Sequence, residues 1–231
     1  MKKLTYDNFE KLHVKKPVNR IKYFANYCRT KSVLDIGSYD ETAVNLKIET
    51  NYWLFSELEK TAKTLIGIDI ALPEESIIYK TTKIIRKDVF EINESIFKNY
   101  EIITAGEILE HLPSPLDFFL FVKKEFQGKE LLLSTPNGLN FGNTLMGLFK
   151  REVQHVDHLQ LFTYKTLNTL CEKAGFQEWE IIPYHFFATE MKLKTPSALK
   201  RGFITIIEKT INCVEYLFPL LSLGYMVKVK I

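Results

Sequence analysis

The sequence predicts an α/β fold in which a parallel sheet is covered by helices on both faces. Short apolar runs of strand length alternate with helical segments, which is the rhythm of βαβ units. Three of these runs end in or just before Asp and a fourth runs into Gly-Glu, so the polar residues gather at one edge of the sheet. The chain has 231 residues, 46% hydrophobic and 26% charged. That is enough for one domain with a full core, and it excludes a disordered, collagen-like or disulfide-stapled chain.

The elements follow in order. Ile21, Phe24 and Tyr27 stand close to helical spacing, so residues 18–29 read as a helix leading into the first strand. Ser32-Val-Leu-Asp-Ile-Gly37 is a buried strand and its turn. A helix over Trp53–Lys63 precedes a second strand at 64–70, and runs at 83–88 and 100–105 supply the third and fourth. Pro115–Phe126 is helical, with its proline in the first turn, where the missing N–H costs nothing. Residues 130–134 form a fifth strand closed by Thr135-Pro136-Asn137-Gly138. There the rhythm breaks. Residues 138–162 are a long connection holding two histidines, typical of a functional lid. A helix over 163–174 ends at Gly175, and strand 177–183 follows. Residues 186–223 are a second excursion before a terminal strand at 225–231. Right-handed crossovers leave few topologies for such a chain.

The formal charge of +3 gives no case for nucleic acid as a partner. Cys28, Cys171 and Cys213 make no C-x-x-C pair, so all three read as structural and a reducing, cytoplasmic setting is expected. The N-terminal residues lack the apolar core of a secretory signal. Glu208, Lys209 and Glu215 interrupt the greasiest run, so no transmembrane segment is expected. Core packing is the first reading of Phe203–Met226. Lys192, Lys194, Lys200 and Arg201 before it keep peripheral membrane contact open beside a homodimer interface.

Ligands of open α/β sheets bind beyond the carboxyl ends of the strands. Here those ends carry Asp35, Asp69, Asp88 and Glu107, a poor place for a pyrophosphate but a good one for a cationic cofactor with a ribose diol. With no G-x-G-x-x-G opening the first helix, a nicotinamide dehydrogenase is disfavoured.

The ordered set VLDIGS (33–38), LIGIDI (65–70), RKDVFEI (86–92), AGEILEHLPSP (105–115), LLLSTPN (131–137) and HLQLFTYKTLNTLCEKAGF (158–176) resembles class I S-adenosylmethionine-dependent methyltransferases. The resemblance implies a Rossmann-like fold with a mostly parallel seven-stranded sheet, helices on both faces and a C-terminal antiparallel strand. It implies one methyltransferase domain over 1–231, with its core at 30–184, an acceptor lid at 138–162, an apolar helical insertion at 186–223 and a terminal strand at 225–231. The chain departs from the family where Tyr39 and Glu41 stand at the second and third glycine positions of the first loop. Trp53-Leu54 is similar to a pair found in a branch associated with glycan assembly. That branch points to a small polar acceptor, an oxygen of a sugar or glycan precursor. A catalytically silent subunit of the same fold is the alternative, motivated by Tyr39 and Glu41.

The resemblance also implies site residues. Asp35, Gly37, Ser38 and Tyr39 would form the cofactor loop, Asp69 with Ile70 would take the ribose, and Asp88 with Val89 the adenine. Gly106 and Glu107 would line the methionine end. Glu107, Glu110 and His111 form an E-x-x-E-H set like that linked to a divalent metal in ubiquinone-type O-methyltransferases, although Glu110 could instead cap the helix after Pro113. His158 is the preferred general base, with His111 and His155 behind it. His13 and His185 read as surface or packing residues.

Overall fold

The computed structural model describes residues 4–7, 9–40, 50, 52–92 and 98–231. Its strands are β1 (Ser32–Ile36), β2 (Thr64–Asp69), β3 (Ser76–Tyr79), β4 (Thr82–Arg86), β5 (Ile102–Gly106), β6 (Glu130–Pro136), β7 (Glu178–Tyr184) and β8 (Gly224–Lys230). They form one sheet in the order β3-β4-β2-β1-β5-β6-β8-β7. β4, β2, β1, β5 and β6 are parallel, and β8 runs antiparallel to both β6 and β7. The chain leaves β1 towards β2 and β4, then crosses back to β5 on the other side. That reversal puts the switch in strand order at β1, where such sheets bind ligands.

The helices are α1 (Arg20–Tyr27), α2 (Leu54–Thr61), α3 (Pro115–Glu125), α4 (Phe141–Leu148), α5 (Tyr164–Lys173), α6 (Thr189–Leu193) and α7 (Ala198–Leu217). Two apolar layers hold them to the sheet. On one face Phe118, Phe119 and Val122 of α3 and Leu167 and Cys171 of α5 pack on Leu34, Ile103, Leu131 and Val227. On the other, Phe24 of α1, Cys28 at its C-cap and Leu58 of α2 pack on Val33, Ile102, Leu132 and Met226. Both faces are covered, as the apolar runs required.

Four expectations need correction. Among the described residues the sheet has eight strands where seven were expected, because β3 pairs with β4 as a hairpin at the edge. Lys80 makes that turn at φ +52, and with no Asn-Gly or Asp-Gly there the sequence carries no hairpin signal. The long connection after Gly138 contains a helix that the sequence reading did not place. It holds α4, whose N-terminus is capped by Asn140 Oδ1 accepting the Asn143 N–H at 2.9 Å. The 186–223 insertion is helical, but its apolar run is not core: Glu215 is the buried residue of α7, and Cys213 is exposed. Finally, Glu110 caps no helix. Ser114 caps α3, and Glu110 lies buried in a 3-10 turn at Leu109–His111.

Gly224 starts β8 beside the end of β7. A Cβ there would lie 2.1 Å from the Tyr184 hydroxyl and 2.5 Å from the Thr135 carbonyl. Gly224→Ala should therefore destabilise the fold by about 1–3 kcal/mol, the usual cost of overpacking. Urea unfolding measures it, and an unchanged midpoint would show that the strand start relaxes without moving Tyr184.

Candidate active site

The loop after β1 is built with little glycine. Gly37 takes φ +71, and a Cβ there would meet Ile108 Cγ2 at 2.0 Å, so this one position needs glycine. Beyond it, side chains do the shaping. Asp69, at the end of β2, accepts the Tyr39 N–H at Oδ2 and the Ala71 N–H at Oδ1, both at 2.9 Å. Trp53 is buried and donates its indole N–H to the Ser38 carbonyl at 3.0 Å. Tyr39 packs against the cluster of Trp53, Phe55, Leu72 and Ile84. The Ser38 side chain is buried and donates to the Ile68 carbonyl at 3.2 Å. Glu41 lies outside the described residues.

Further along the strand ends, Ile70 is exposed. Asp88 is half-buried and accepts the Phe90 N–H at 2.9 Å, while Val89 is buried behind it. Asp35 is buried in β1 and accepts the Thr104 hydroxyl at 2.6 Å. Burial pushes its carboxyl up to about 7; the Thr104 bond and Arg20 act against this, and Asp69 adds to it.

Gly106 and Glu107 end β5. Glu107 adopts φ +58, a left-handed conformation that costs a non-glycine residue. A network holds it: Oε1 accepts the Ser134 hydroxyl at 2.7 Å and the Tyr184 hydroxyl at 3.0 Å, with Arg20 Nη1 at 3.4 Å. Arg20 Nη1 also donates to Ser134 Oγ at 2.9 Å. A Cβ on Gly106 would meet Leu54 Cδ2 at 2.7 Å and Arg20 Nη1 at 3.4 Å, so the guanidinium sits against the end of β5. Arg20 Nε is buried without a hydrogen-bond partner. The sequence reading missed Arg20, Ser134 and Tyr184. No motif marks them, and only the packing of α1 and β7 brings them to Glu107.

The three predicted histidines come together. The His111 and His158 rings lie 4.8 Å apart between centroids, and His155 is 6.2 Å from the first and 5.5 Å from the second. The long connection is sewn to the 3-10 turn from both sides. Leu159 N–H donates to the Glu110 carbonyl at 2.9 Å, and His111 Nδ1 lies 3.1 Å from the Asp157 carbonyl. Beneath the rings Glu110 is buried. Its Oε2 accepts the Thr135 hydroxyl at 2.9 Å, while Oε1 has no hydrogen-bond partner and faces His158 Nε2 at 4.0 Å. Burial, reinforced by Glu107, raises the Glu110 pKa well above the carboxylate range. Burial, then His111 and His155, pushes the His158 imidazole below its ordinary value, so it is neutral at neutral pH.

Glu110, His111 and His158 each offer one ligand atom, all within 4.8 Å of one another. This donor set, with its unsatisfied buried oxygen, suits a divalent cation. It differs from the E-x-x-E-H set in using His158 where that set uses Glu107. His185, read as surface or packing, is half-buried with Nδ1 3.7 Å from the buried Glu215.

Over residues 10–181 the sequence matches a family described as a methyltransferase domain. The chain belongs to that methyltransferase family. Its cofactor is accordingly S-adenosyl-L-methionine, as the strand-end acids and the ordered motifs implied. An S-adenosylmethionine-dependent methyltransferase from Archaeoglobus fulgidus superposes with a TM-score of 0.54 at 16% identity, over 92% of this chain and 91% of that one. The small RNA methyltransferase HEN1 gives 0.57 at 15% identity. That match covers 96% of this chain but 27% of HEN1, so the chain spans about a quarter of that protein. Phosphoethanolamine N-methyltransferase 2 of Haemonchus contortus, solved with S-adenosylhomocysteine, gives 0.51 at 10% identity over 91% of this chain and 51% of that one. At these identities the likeness is one of fold. No curated protein matches the sequence.

Asp35 gives a stability test with a defined sign. A carboxyl raised from 3.8 to about 7 in the folded state holds its proton more tightly there than when unfolded. Its contribution to stability is therefore full below pH 3.8 and is lost as pH rises to about 7. Asp35→Asn keeps an acceptor for Thr104 and removes the titration. Urea unfolding across this window should show a shallower loss of stability with pH than in the parent. Equal slopes would mean that Asp35 is not the titrating group.

Proposed function

We propose that the chain moves the methyl group of S-adenosyl-L-methionine to an oxygen of a small polar acceptor, a sugar or glycan precursor. One observation carries the oxygen: three histidines and a buried carboxylate converge at the carboxyl edge of the sheet, beside the strand ends assigned to the cofactor. Methyl transfer is an in-line displacement, so much of catalysis is alignment. A hydroxyl acceptor must also lose a proton, which a neutral imidazole can take. The Trp53-Leu54 pair supports the sugar.

The cofactor is a zwitterion at one end and a diol at the other, and the residues suit both. Arg20, with its unpartnered Nε, receives the methionine carboxylate; Glu107 and Asp35 draw the ammonium. Asp69, which holds the Tyr39 and Ala71 amides, takes the ribose hydroxyls. Asp88 and the Val89 backbone take the adenine edge. His158 takes the acceptor proton and releases it to water, and His111 and His155 bound the same opening.

A second reading of the cluster is favoured by the unsatisfied Glu110 Oε1. Glu110, His111 and His158 would hold a divalent cation, whose chemistry there is to make a bound hydroxyl more acidic. His158 would then be a ligand rather than the base.

Asp69→Ala should weaken S-adenosylhomocysteine binding by at least about tenfold, since hydrogen bonds to a charged group are each worth roughly 1.5–3 kcal/mol. Calorimetry showing unchanged affinity would remove Asp69 from the site, and a parent chain that binds no cofactor would favour the silent subunit. His158→Ala should lower turnover about 10²–10⁴-fold while cofactor affinity holds. The acceptor for this assay comes from a mass-spectrometric screen for a 14-dalton-class methyl gain, sugar-derived compounds first. Dialysis against a chelator should leave turnover unchanged; a loss restored by magnesium or manganese would make His158 a metal ligand.

A further inference from the structure

Helix α7 is amphipathic in the inverted sense. Ile204, Glu208, Ile211 and Glu215 recur at helical spacing on the side turned to the protein, with Thr205, Asn212 and Val214 partly buried beside them. These acids fasten the helix through polar bonds. Glu215 Oε2 accepts the Phe186 N–H at 2.8 Å, and Glu208 Oε1 accepts the Ala188 N–H at 2.9 Å while Oε2 pairs with Lys192.

The opposite stripe, Leu199, Phe203, Ile206, Thr210, Cys213 and Leu217, faces outward. Leu199 is 88% exposed, Phe203 64%, Ile206 63% and Leu217 61%. The patch extends sideways. α4 packs beside α7, buries none of its own residues, and leaves Leu145, Leu148 and the following Phe149 exposed. Apolar surface gathered on two neighbouring helices marks an interaction face rather than scattered exposure.

Charge identifies what covers it. On α7 both acids point inward, whereas Lys200 and Lys209 are exposed on the two shoulders of the outward stripe. Lys150 and Arg151 are exposed just after α4, with Glu152 the acid beside them. A second copy placed on this face about a two-fold axis would set these cations against their own kind. An anionic surface with an apolar interior satisfies both the stripe and its shoulders. Among the described residues no helix is long and apolar enough to cross a membrane, so the contact is lateral.

We propose that α7, with the adjoining face of α4, lies in the interface of an anionic lipid bilayer. The Leu199–Phe203–Ile206–Leu217 stripe enters the acyl boundary, and Lys200 and Lys209 reach the headgroup phosphates.

The test needs no catalytic activity. The full chain is sedimented with vesicles of phosphatidylcholine alone and of phosphatidylcholine mixed with phosphatidylglycerol. Binding to the mixed vesicles, weakened by salt, is expected. The Phe203→Ser/Ile206→Ser double variant changes exposed residues and should keep its melting temperature and its S-adenosylhomocysteine affinity. Its partition to mixed vesicles should fall by about tenfold or more. Lys200→Glu/Lys209→Glu should abolish the preference for anionic vesicles. Absence of binding to either vesicle overturns the proposal. So does a concentration-dependent dimer that the Phe203→Ser/Ile206→Ser variant breaks, which would assign the face to a second copy.

Discussion

The site rests on a guanidinium held among carboxylates. Asp35, Asp69, Glu107 and Glu110 converge at the carboxyl edge of the sheet, where burial, with neighbouring acids adding to it, raises the Asp35 and Glu110 carboxyls. Arg20 relieves this. Its field opposes the upward shifts at Asp35 and Glu110, and it stands 3.4 Å from Glu107. The arrangement ties together distant parts of the chain: α1 supplies Arg20, β6 Ser134, β7 Tyr184, and the left-handed turn after β5 supplies Glu107. Ser134, Tyr184 and Arg20 together hold Glu107 in its left-handed backbone, at the start of the turn that carries Glu110 and His111.

The loop after β1 shows how a missing local feature is replaced by a tertiary one. Glycines at the second and third positions would let the backbone approach a ligand by their own freedom. Here Tyr39 occupies the second position, and the approach is set from outside. Asp69 fixes the loop through the Tyr39 amide, and Trp53 fixes it through the Ser38 carbonyl. The Trp-Leu pair noticed in the sequence thus has a structural role: Trp53 bonds the loop, and Leu54 packs against Gly106 at the end of β5.

What the sequence disclosed, and what it hid, follows the range of the forces involved. The parallel strands were legible because a strand buried on both faces must be apolar along its length. The acids ending them were legible because they break those runs abruptly. His158 and His111 were legible only as members of patterns, 47 positions apart; their meeting depends on the Asn137 to Phe162 bridge and on Leu159 reaching the Glu110 carbonyl. Strand β3 was hidden because an exposed edge strand needs no apolar alternation and Lys80 made its turn. The inverted polarity of α7 was hidden for a plainer reason. Its periodicity shows two unlike faces, and hydrophobicity alone nominates the wrong one for the interior.

The acid-rich edge also bears on turnover. S-adenosylmethionine carries a sulfonium cation, whereas the product S-adenosylhomocysteine has a neutral thioether in the same place. A pocket lined by Asp35, Asp69 and Glu107, the residues proposed for the cofactor, would attract the first more strongly than the second, because the Coulomb energy between the sulfur and charged carboxylates vanishes with the methyl group. The same difference acts on the buried acid. On the proposed cofactor site, a cation brought near Asp35 would favour the ionised form of a carboxyl that burial raises to about 7. On the same proposal, the carboxylate excess that makes this edge costly is what would let it distinguish the methyl donor from its spent form.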